Sequence, residues 1–164
     1  MKISIIGCGN MGQAYARSFR KYGLVKQDDL LLVIRGDGRR TQLEAFGKVT
    51  TEITAGIGES DLVIVAVKPQ DFGVVAPTLA KVLRPQQVVL SIMAGITIQR
   101  LQDTLGHKTV VRAMPNSPAQ IGMGITAYAT GTELNMRQTL MVEQLLNSTG
   151  RAVHLAEEAH LDPV

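Results

Sequence analysis

Residues 2–12 join a short apolar run directly to three glycines spaced G-x-G-x-x-G, in the order KISIIGCGNMG. This arrangement predicts a strand, a phosphate-binding turn and the start of a helix. The first glycine permits a tight turn, the second lets a pyrophosphate approach the backbone, and the third lets the helix pack closely on the strand. The helix start then offers free N–H groups to an anion. The stretch predicts a dinucleotide-binding unit; a glycine turn in an ordinary strand-helix unit is the alternative.

The residues after this turn have the spacing of one helix face. The positions that share this face are Met11, Ala14, Tyr15, Ser18, Phe19 and Tyr22. Such spacing predicts an amphipathic helix packed on a sheet. Gly23 follows directly and predicts the end of that helix.

Composition limits the class of protein. The chain has 164 residues, 45% hydrophobic and 19% charged, which is typical of one globular domain. We expect a cytoplasmic protein, because no apolar run is long enough to span a bilayer and the N-terminus does not resemble a secretory leader. A net charge of +3 is too small to indicate nucleic-acid binding.

Apolar runs of strand length recur along the chain and alternate with helical patterns. Strands are predicted at residues 30–34, 48–53, 62–67, 88–92, 109–113, 124–129 and 152–155, with 124–129 as the last central strand. Helices are predicted at 41–46, at 72–83, from Thr97 to about 105, and from Thr132 to about 148; Pro77 predicts a later start or a kink in the second. This alternation predicts an α/β fold: a Rossmann-type, doubly wound, mainly parallel sheet with helices on both faces.

A cluster of arginines follows the second predicted strand. In NAD-binding units of this type an acidic residue often ends that strand, whereas here Arg35 does, with Arg39 and Arg40 nearby. A guanidinium suits a 2′-phosphate through charge-assisted contacts. The sequence therefore favours NADP over NAD, with NAD possible; solvated arginines on a surface turn are the alternative.

The remaining reactive residue types are sparse. The single cysteine, Cys8, excludes an internal disulfide and a cysteine metal cluster. His107, His154 and His160 are too scattered to predict a metal site, and we expect them at the surface or at a sheet edge. No metal is predicted.

Four motifs in register resemble pyrroline-5-carboxylate reductase, the last enzyme of proline synthesis. They are IGCGNMG at 6–12, AVKPQ at 66–70, SIMAGIT at 91–97 and VRAMPNSPA at 111–119. The last is the most specific of the four. The resemblance implies hydride transfer from NADPH to the C=N carbon of 1-pyrroline-5-carboxylate, which gives L-proline.

The resemblance also implies positions for the ligands. The expected cofactor-binding residues are Ile6, Gly7, Cys8, Gly9, Asn10, Met11, Gly12, Arg35, Ala66, Val67, Lys68, Pro69, Ile92, Met93 and Ala94. The expected substrate-side residues are Asn116, Ser117 and Glu158. No catalytic acid is named, because an imine carbon is already electrophilic and the reaction depends mainly on positioning.

The family also implies a second domain. Its members continue into an all-helical domain that forms a homo-oligomer and completes the substrate site. We therefore expect residues 1–155 to be the dinucleotide-binding domain and 156–164 to begin a linker. The isolated chain should then bind cofactor without reducing pyrroline-5-carboxylate. Two alternatives stay open: a non-catalytic dinucleotide-binding or regulatory module, and a related reductase with another imine or carbonyl substrate.

Overall fold

A single eight-stranded sheet forms the centre of the computed structural model, which describes residues 1–116 and 122–162. The strands are β1 (Ile3–Ile6), β2 (Leu30–Val33), β3 (Lys48–Thr50), β4 (Leu62–Val65), β5 (Val88–Ser91), β6 (Val110–Met114), β7 (Gly124–Thr130) and β8 (Gly150–His154). The helices are α1 (Asn10–Lys21), α2 (Arg40–Leu43), α3 (Phe72–Val82), α4 (Ile98–Leu105) and α5 (Met136–Asn147).

The strand order is β3-β2-β1-β4-β5-β6-β7-β8. Every neighbouring pair is parallel except β6 and β7, which are antiparallel. The order reverses between β1 and β4, and in such sheets the ligand crevice lies beyond the carboxyl ends of the strands at this point. The predicted doubly wound α/β fold is confirmed.

Both faces of the sheet are covered by helices, and successive side chains of each strand alternate between the two faces. On one face, Tyr15 and Phe19 of α1 and Leu145 of α5 are fully buried in one core cluster. On the other face, Phe72 of α3 and Leu101 of α4 are fully buried in a second cluster. The helices therefore lie on both sides of the sheet, as predicted.

The end of α1 has the backbone geometry that the sequence predicted. Gly23 has a φ of +66°, and its N–H donates to the Arg20 carbonyl at 3.2 Å. The N–H of Leu24 donates to the Phe19 carbonyl at 2.9 Å, which completes a Schellman motif. Tyr22, which was predicted on the buried face, is 56% exposed because it follows the last residue of the helix.

The start of α3 differs from the prediction, whereas the start of α4 agrees with it. Helix α3 begins at Phe72 and contains Pro77, so the predicted start near the proline is wrong. Pro77 lacks the N–H that would bond one turn back. At the start of α4, the hydroxyl of Thr97 accepts from the Arg100 N–H at 3.1 Å, so the predicted cap is confirmed.

The last third of the described chain departs most from the sequence prediction. Strand β7 is interior, as predicted, between β6 and the edge strand β8, but it runs antiparallel to β6. Helix α5 begins at Met136 rather than near Thr132, because Asn135 and Gln138 form a reciprocal capping box at 2.8 and 3.0 Å. His107 is buried, not at the surface, and its Nε2 lies 2.6 Å from the Gln87 carbonyl oxygen.

Candidate functional site

A cleft of about 640 Å³ lies at the carboxyl ends of β1, β2 and β4. The glycine turn forms its floor, and the segments that follow β2, β3 and β4 form its walls together with the first turn of α3. The parallel strands bring these segments together because their carboxyl ends meet at one edge of the sheet. This is the crevice expected at the reversal of strand order.

The three glycines of the turn are required for different reasons. Gly7 has a φ of +92°, and a Cβ there would lie 2.9 Å from the carbonyl carbon of Ala66. A Cβ on Gly12 would collide with the Gly7 carbonyl oxygen, so this glycine lets α1 pack on β1. Gly9 has an ordinary φ of −74°, and a Cβ there would meet nothing within 4 Å. The described chain thus gives a steric reason for glycine at 7 and 12, but not at 9.

The first turn of α1 is uncapped by any side chain. Gly9 is the N-cap residue and has no side chain to offer, and the first turn contains no acidic residue. The initial N–H groups of a helix have no partner within it and carry a partial positive charge. The Cys8 carbonyl, by contrast, accepts from Gln13 Nε2 at 3.0 Å and from Arg39 Nη1 at 3.5 Å. The turn therefore presents donors suited to an anion.

Cys8 does not supply a reactive thiolate. It is 9% exposed, and burial raises the pKa of its thiol to about 12. A protonated thiol is a poor nucleophile and a poor metal ligand at neutral pH. Within residues 1–116 and 122–162, no group of three or more His, Cys, Asp or Glu side chains is placed to hold a metal ion.

The three arginines after β2 have separate surroundings. Arg35 lines the cleft with 91% of its side chain exposed, and its Nη1 lies 3.5 Å from Asp71 Oδ2. Arg39 also lines the cleft. Arg40 is outside the cleft lining, where it donates to Asp37 at 3.0 Å and to the Val49 carbonyl at 3.1 Å. The structure therefore brings Arg35 and Arg39 to the cleft and uses Arg40 to hold the loop together.

The predicted cofactor-binding segment after β4 lies partly in the cleft lining and partly outside it. Ala66, Val67 and Lys68 line the cleft. The Ala66 N–H donates to the Ile6 carbonyl at 2.7 Å, which fixes this segment beside the glycine turn. Pro69 lies outside the cleft lining and begins a short 3₁₀ helix that leads into α3.

The predicted segment after β5 lies on the next strand along the same edge. The Ile92 N–H donates to the Val65 carbonyl at 3.1 Å, so the segment is joined to the end of β4. Met93 is buried, whereas Ala94 is exposed. None of the three residues 92–94 lines the cleft described above. They follow β5, which is the neighbour of β4 in the sheet.

Two of the predicted substrate-side residues, Asn116 and Glu158, are absent from the lining of this cleft and have partners within the chain. Asn116 Oδ1 accepts from the Ile125 N–H at 3.1 Å. Glu158 Oε1 accepts from the Ile98 N–H at 2.7 Å and from Arg112 at 2.9 Å. Ser117 lies outside the described residues.

Several cleft residues were missed by the sequence prediction. Thr51 and Ile53 line the cleft just after β3, so the rule that ligands lie beyond strand ends would have found them. Val74, which is 82% exposed, and Asp71 lie on the wall formed by α3. The pairing of Asp71 with Arg35 spans 36 positions, and no local pattern indicates it.

Comparisons with known proteins identify the family of this chain. The family described as "NADP oxidoreductase coenzyme F420-dependent" matches residues 2–95. A pyrroline-5-carboxylate reductase from Aquifex aeolicus is 33% identical over 159 residues, which cover 96% of this chain and 58% of the relative. The chain thus spans about three fifths of the length of that curated relative, and the resemblance predicted from the four motifs is confirmed.

Two solved structures share the fold. A pyrroline-5-carboxylate reductase from Coxiella burnetii has a TM-score of 0.91 and 23% identity, over 98% of this chain and 60% of that one. The Plasmodium falciparum pyrroline carboxylate reductase, solved with NADP bound, has a TM-score of 0.79 and 23% identity, over 98% of this chain and 59% of its own. The family model matches residues 2–95, which are more than half of the length of this chain. The chain therefore belongs to the family described as "NADP oxidoreductase coenzyme F420-dependent".

Proposed function

We propose that this chain binds NADPH in the cleft and forms the cofactor-binding part of a cytoplasmic pyrroline-5-carboxylate reductase. The observation that carries the proposal is Gly9. Gly9 lines the cleft as the N-cap of α1, and no atom of the described chain lies within 4 Å of where its Cβ would be; the proposal assigns this space to the pyrophosphate. The name of the Aquifex relative and the NADP in the Plasmodium structure support the same conclusion.

The residues of the cleft fit a phosphorylated dinucleotide. In the proposal, the backbone of residues 6–12 holds the pyrophosphate at the start of α1. Arg35 and Arg39 bind the adenosine 2′-phosphate, and Asp71 gives up its weak contact with Arg35 when the phosphate arrives. Residues 66–69 and 92–94 contact or support the rest of the cofactor along the ends of β4 and β5.

Bound NADPH supplies a hydride from its nicotinamide ring. The chain contributes orientation, because it fixes the dinucleotide along one edge of a rigid sheet and so reduces the entropy lost at the transition state. An imine carbon is already electrophilic, and no side chain is assigned here as the proton donor. Asn116, Ser117 and Glu158 are proposed on the substrate side, with Glu158 also accepting two hydrogen bonds within the chain.

The substrate reaction is proposed for a protein that has the full length of these relatives. This chain spans 58% of the Aquifex reductase, and the remaining sequence of such a protein would complete the substrate site and form a homo-oligomer. By this proposal the chain of 164 residues binds NADPH but lacks turnover.

Parallel assays of binding and turnover test the proposal. NADPH affinity and pyrroline-5-carboxylate reduction would be measured for the 164-residue chain and for a fusion of this chain with the remaining part of the Aquifex relative. We expect both proteins to bind NADPH and the fusion alone to form proline. Failure of both to bind NADPH would overturn the proposed function, and proline formation by the 164-residue chain would overturn the prediction that this chain lacks turnover.

A reductase with another substrate is the second candidate, and the description of the matching family favours it. The assay that separates the two candidates offers the fusion NADPH with pyrroline-5-carboxylate, with other cyclic imines, or with oxidised coenzyme F420. Reduction of F420 in preference to pyrroline-5-carboxylate would support the second candidate. Binding of NADPH without reduction of any of these would instead support a non-catalytic module.

A further inference from the structure

Arg112 is a fully buried arginine in the middle of the sheet. It lies in β6, with none of its side chain exposed, on the face covered by α3 and α4. Its Nη1 donates to Glu158 at 2.9 Å and to Asp162 at 3.3 Å, and its Nη2 donates to Asp162. A buried cation is tolerated only when such partners replace water, so Arg112 holds residues 157–162 against the sheet.

Glu158 extends this contact to a second element. The carboxylate oxygen that accepts from Arg112 also accepts from the Ile98 N–H at 2.7 Å, in the first turn of α4. An anion at a helix start is favoured by the helix dipole. One oxygen atom therefore joins β6 to the start of α4, and the start of α4 is continuous with the 92–97 loop that follows β5.

The carboxylates of Glu158 and Asp162 differ in their hydrogen-bond donors. Within the described part of the chain, the Asp162 carboxylate accepts hydrogen bonds from Arg112 alone, whereas Glu158 accepts from Arg112 and Ile98. Burial opposes the charge of Arg112, but its hydrogen bonds to both carboxylates raise the pKa of the guanidinium overall. Asp162 therefore serves as a matched control, because it shares the charge pairing without contacting α4.

We propose that Arg112 is a positioning residue, which acts through Glu158 to fix the first turn of α4 and the 92–97 loop. The local ordering is independent of any ligand. Its consequence for cofactor affinity rests on the proposed function, which places residues 92–94 beside NADPH. In this arrangement Glu158 connects the 157–162 segment to the cofactor side of the sheet.

Amide hydrogen exchange tests the local part of the inference. NMR would follow the Ile98 amide in the unaltered chain and in the variants Glu158→Ala, Arg112→Met and Asp162→Ala. We expect exchange at Ile98 to accelerate by about tenfold or more in Glu158→Ala, because a hydrogen bond to a charged group is lost. Arg112→Met should accelerate it too, since Glu158 loses its anchor, whereas Asp162→Ala should leave it unchanged.

Two outcomes would overturn the inference. Unchanged exchange at Ile98 in both Glu158→Ala and Arg112→Met would show that the pair does not order α4. Equal acceleration of all core amides in every variant, Asp162→Ala included, would show that Arg112 contributes only to global stability. Arg112→Met keeps an apolar chain in the space of the arginine stem, and the partly exposed Glu158 and Asp162 can be hydrated, so this variant should fold, though less stably.

NADPH titration of the same variants tests the consequence for the cofactor. We expect affinity to fall by about threefold or more in Glu158→Ala and Arg112→Met, and to stay unchanged in Asp162→Ala. Altered exchange with unaltered affinity would confine the effect of Arg112 to α4 and overturn the link to the cofactor. If the unaltered chain itself does not bind NADPH, the proposed function fails while the exchange result still stands.

Discussion

Arg35, in the loop after β2, and Arg112, within β6, have opposite surroundings. Arg35 is 91% exposed in the cleft and has one contact, at 3.5 Å, with a partly exposed aspartate. Arg112 is fully buried and donates three hydrogen bonds to two carboxylates. An exposed ion pair contributes about 0–1 kcal/mol, so Arg35 can exchange its partner for a phosphate at little cost. Arg112 is fixed by structure, whereas Arg35 is available for binding.

Removal of the buried arginine should have the largest effect on stability. We expect Arg112→Ala to lower the free energy of unfolding by roughly 3 kcal/mol, because it leaves two carboxylates without their cation and opens a cavity. Arg35→Ala should change it by less than about 0.5 kcal/mol, as expected for an exposed side chain. Urea denaturation followed by circular dichroism measures both, and equal effects would contradict the contrast between the two sites.

Two glycines of the turn should show the same contrast between ligand binding and stability of the fold. We expect Gly9→Ala to weaken NADPH binding by about thirtyfold, since its Cβ would occupy the space proposed for the pyrophosphate, while thermal stability stays within a few degrees. Gly12→Ala should instead destabilise the fold, because its Cβ would collide with the Gly7 carbonyl. Calorimetric titration and thermal melts separate the two. Unchanged NADPH affinity in Gly9→Ala would count against the site.

The exposed arginine should set the cofactor preference. Arg35→Ala should weaken NADPH binding by about tenfold, through loss of a charge-assisted contact, and leave NADH binding nearly unchanged. Arg151→Ala is the matched control, because Arg151 is an exposed arginine in β8 that lies outside the cleft lining. Equal losses in the two variants would indicate a general effect of positive charge.

Low pH should reduce the free energy of unfolding through the Arg112–Asp162 pair, by less than the effects above. The hydrogen bond from Arg112 lowers the pKa of Asp162 below its ordinary value in the folded chain. The folded state then binds fewer protons than the unfolded state, so this contribution is complete above about pH 4 and is lost as pH falls through the lowered pKa. Unfolding curves would be measured between about pH 2 and 6. The free energy of unfolding should depend less on pH in Asp162→Asn than in the unaltered chain. An identical dependence would contradict the pairing.

Most of the chain up to α4 could be predicted from local pattern. The glycine turn, the apolar runs of β1, β2, β4 and β5, and the caps at Gly23 and Thr97 are determined by neighbouring residues. The ends of the parallel strands then located the cleft, because topology alone brings them to one edge.

The structure after α4 depends on tertiary contacts that a local sequence pattern does not indicate. An apolar run at 124–129 has the same periodicity whether it runs parallel or antiparallel to its neighbour, so the direction of β7 followed only from its pairing. Thr132 and Asn135 are both good caps, and Gln138 was the available indication that favoured Asn135. The partners of Arg112 lie 46 and 50 positions away, beyond any local indication.

The most direct test of the proposed site is a calorimetric titration of the unaltered chain with NADPH and with NADH under the same buffer. An exposed Arg35 and a glycine turn open at Gly9 predict binding of both, with NADPH tighter by about tenfold or more. Equal affinities would contradict the role of Arg35, and binding of neither would contradict the site itself.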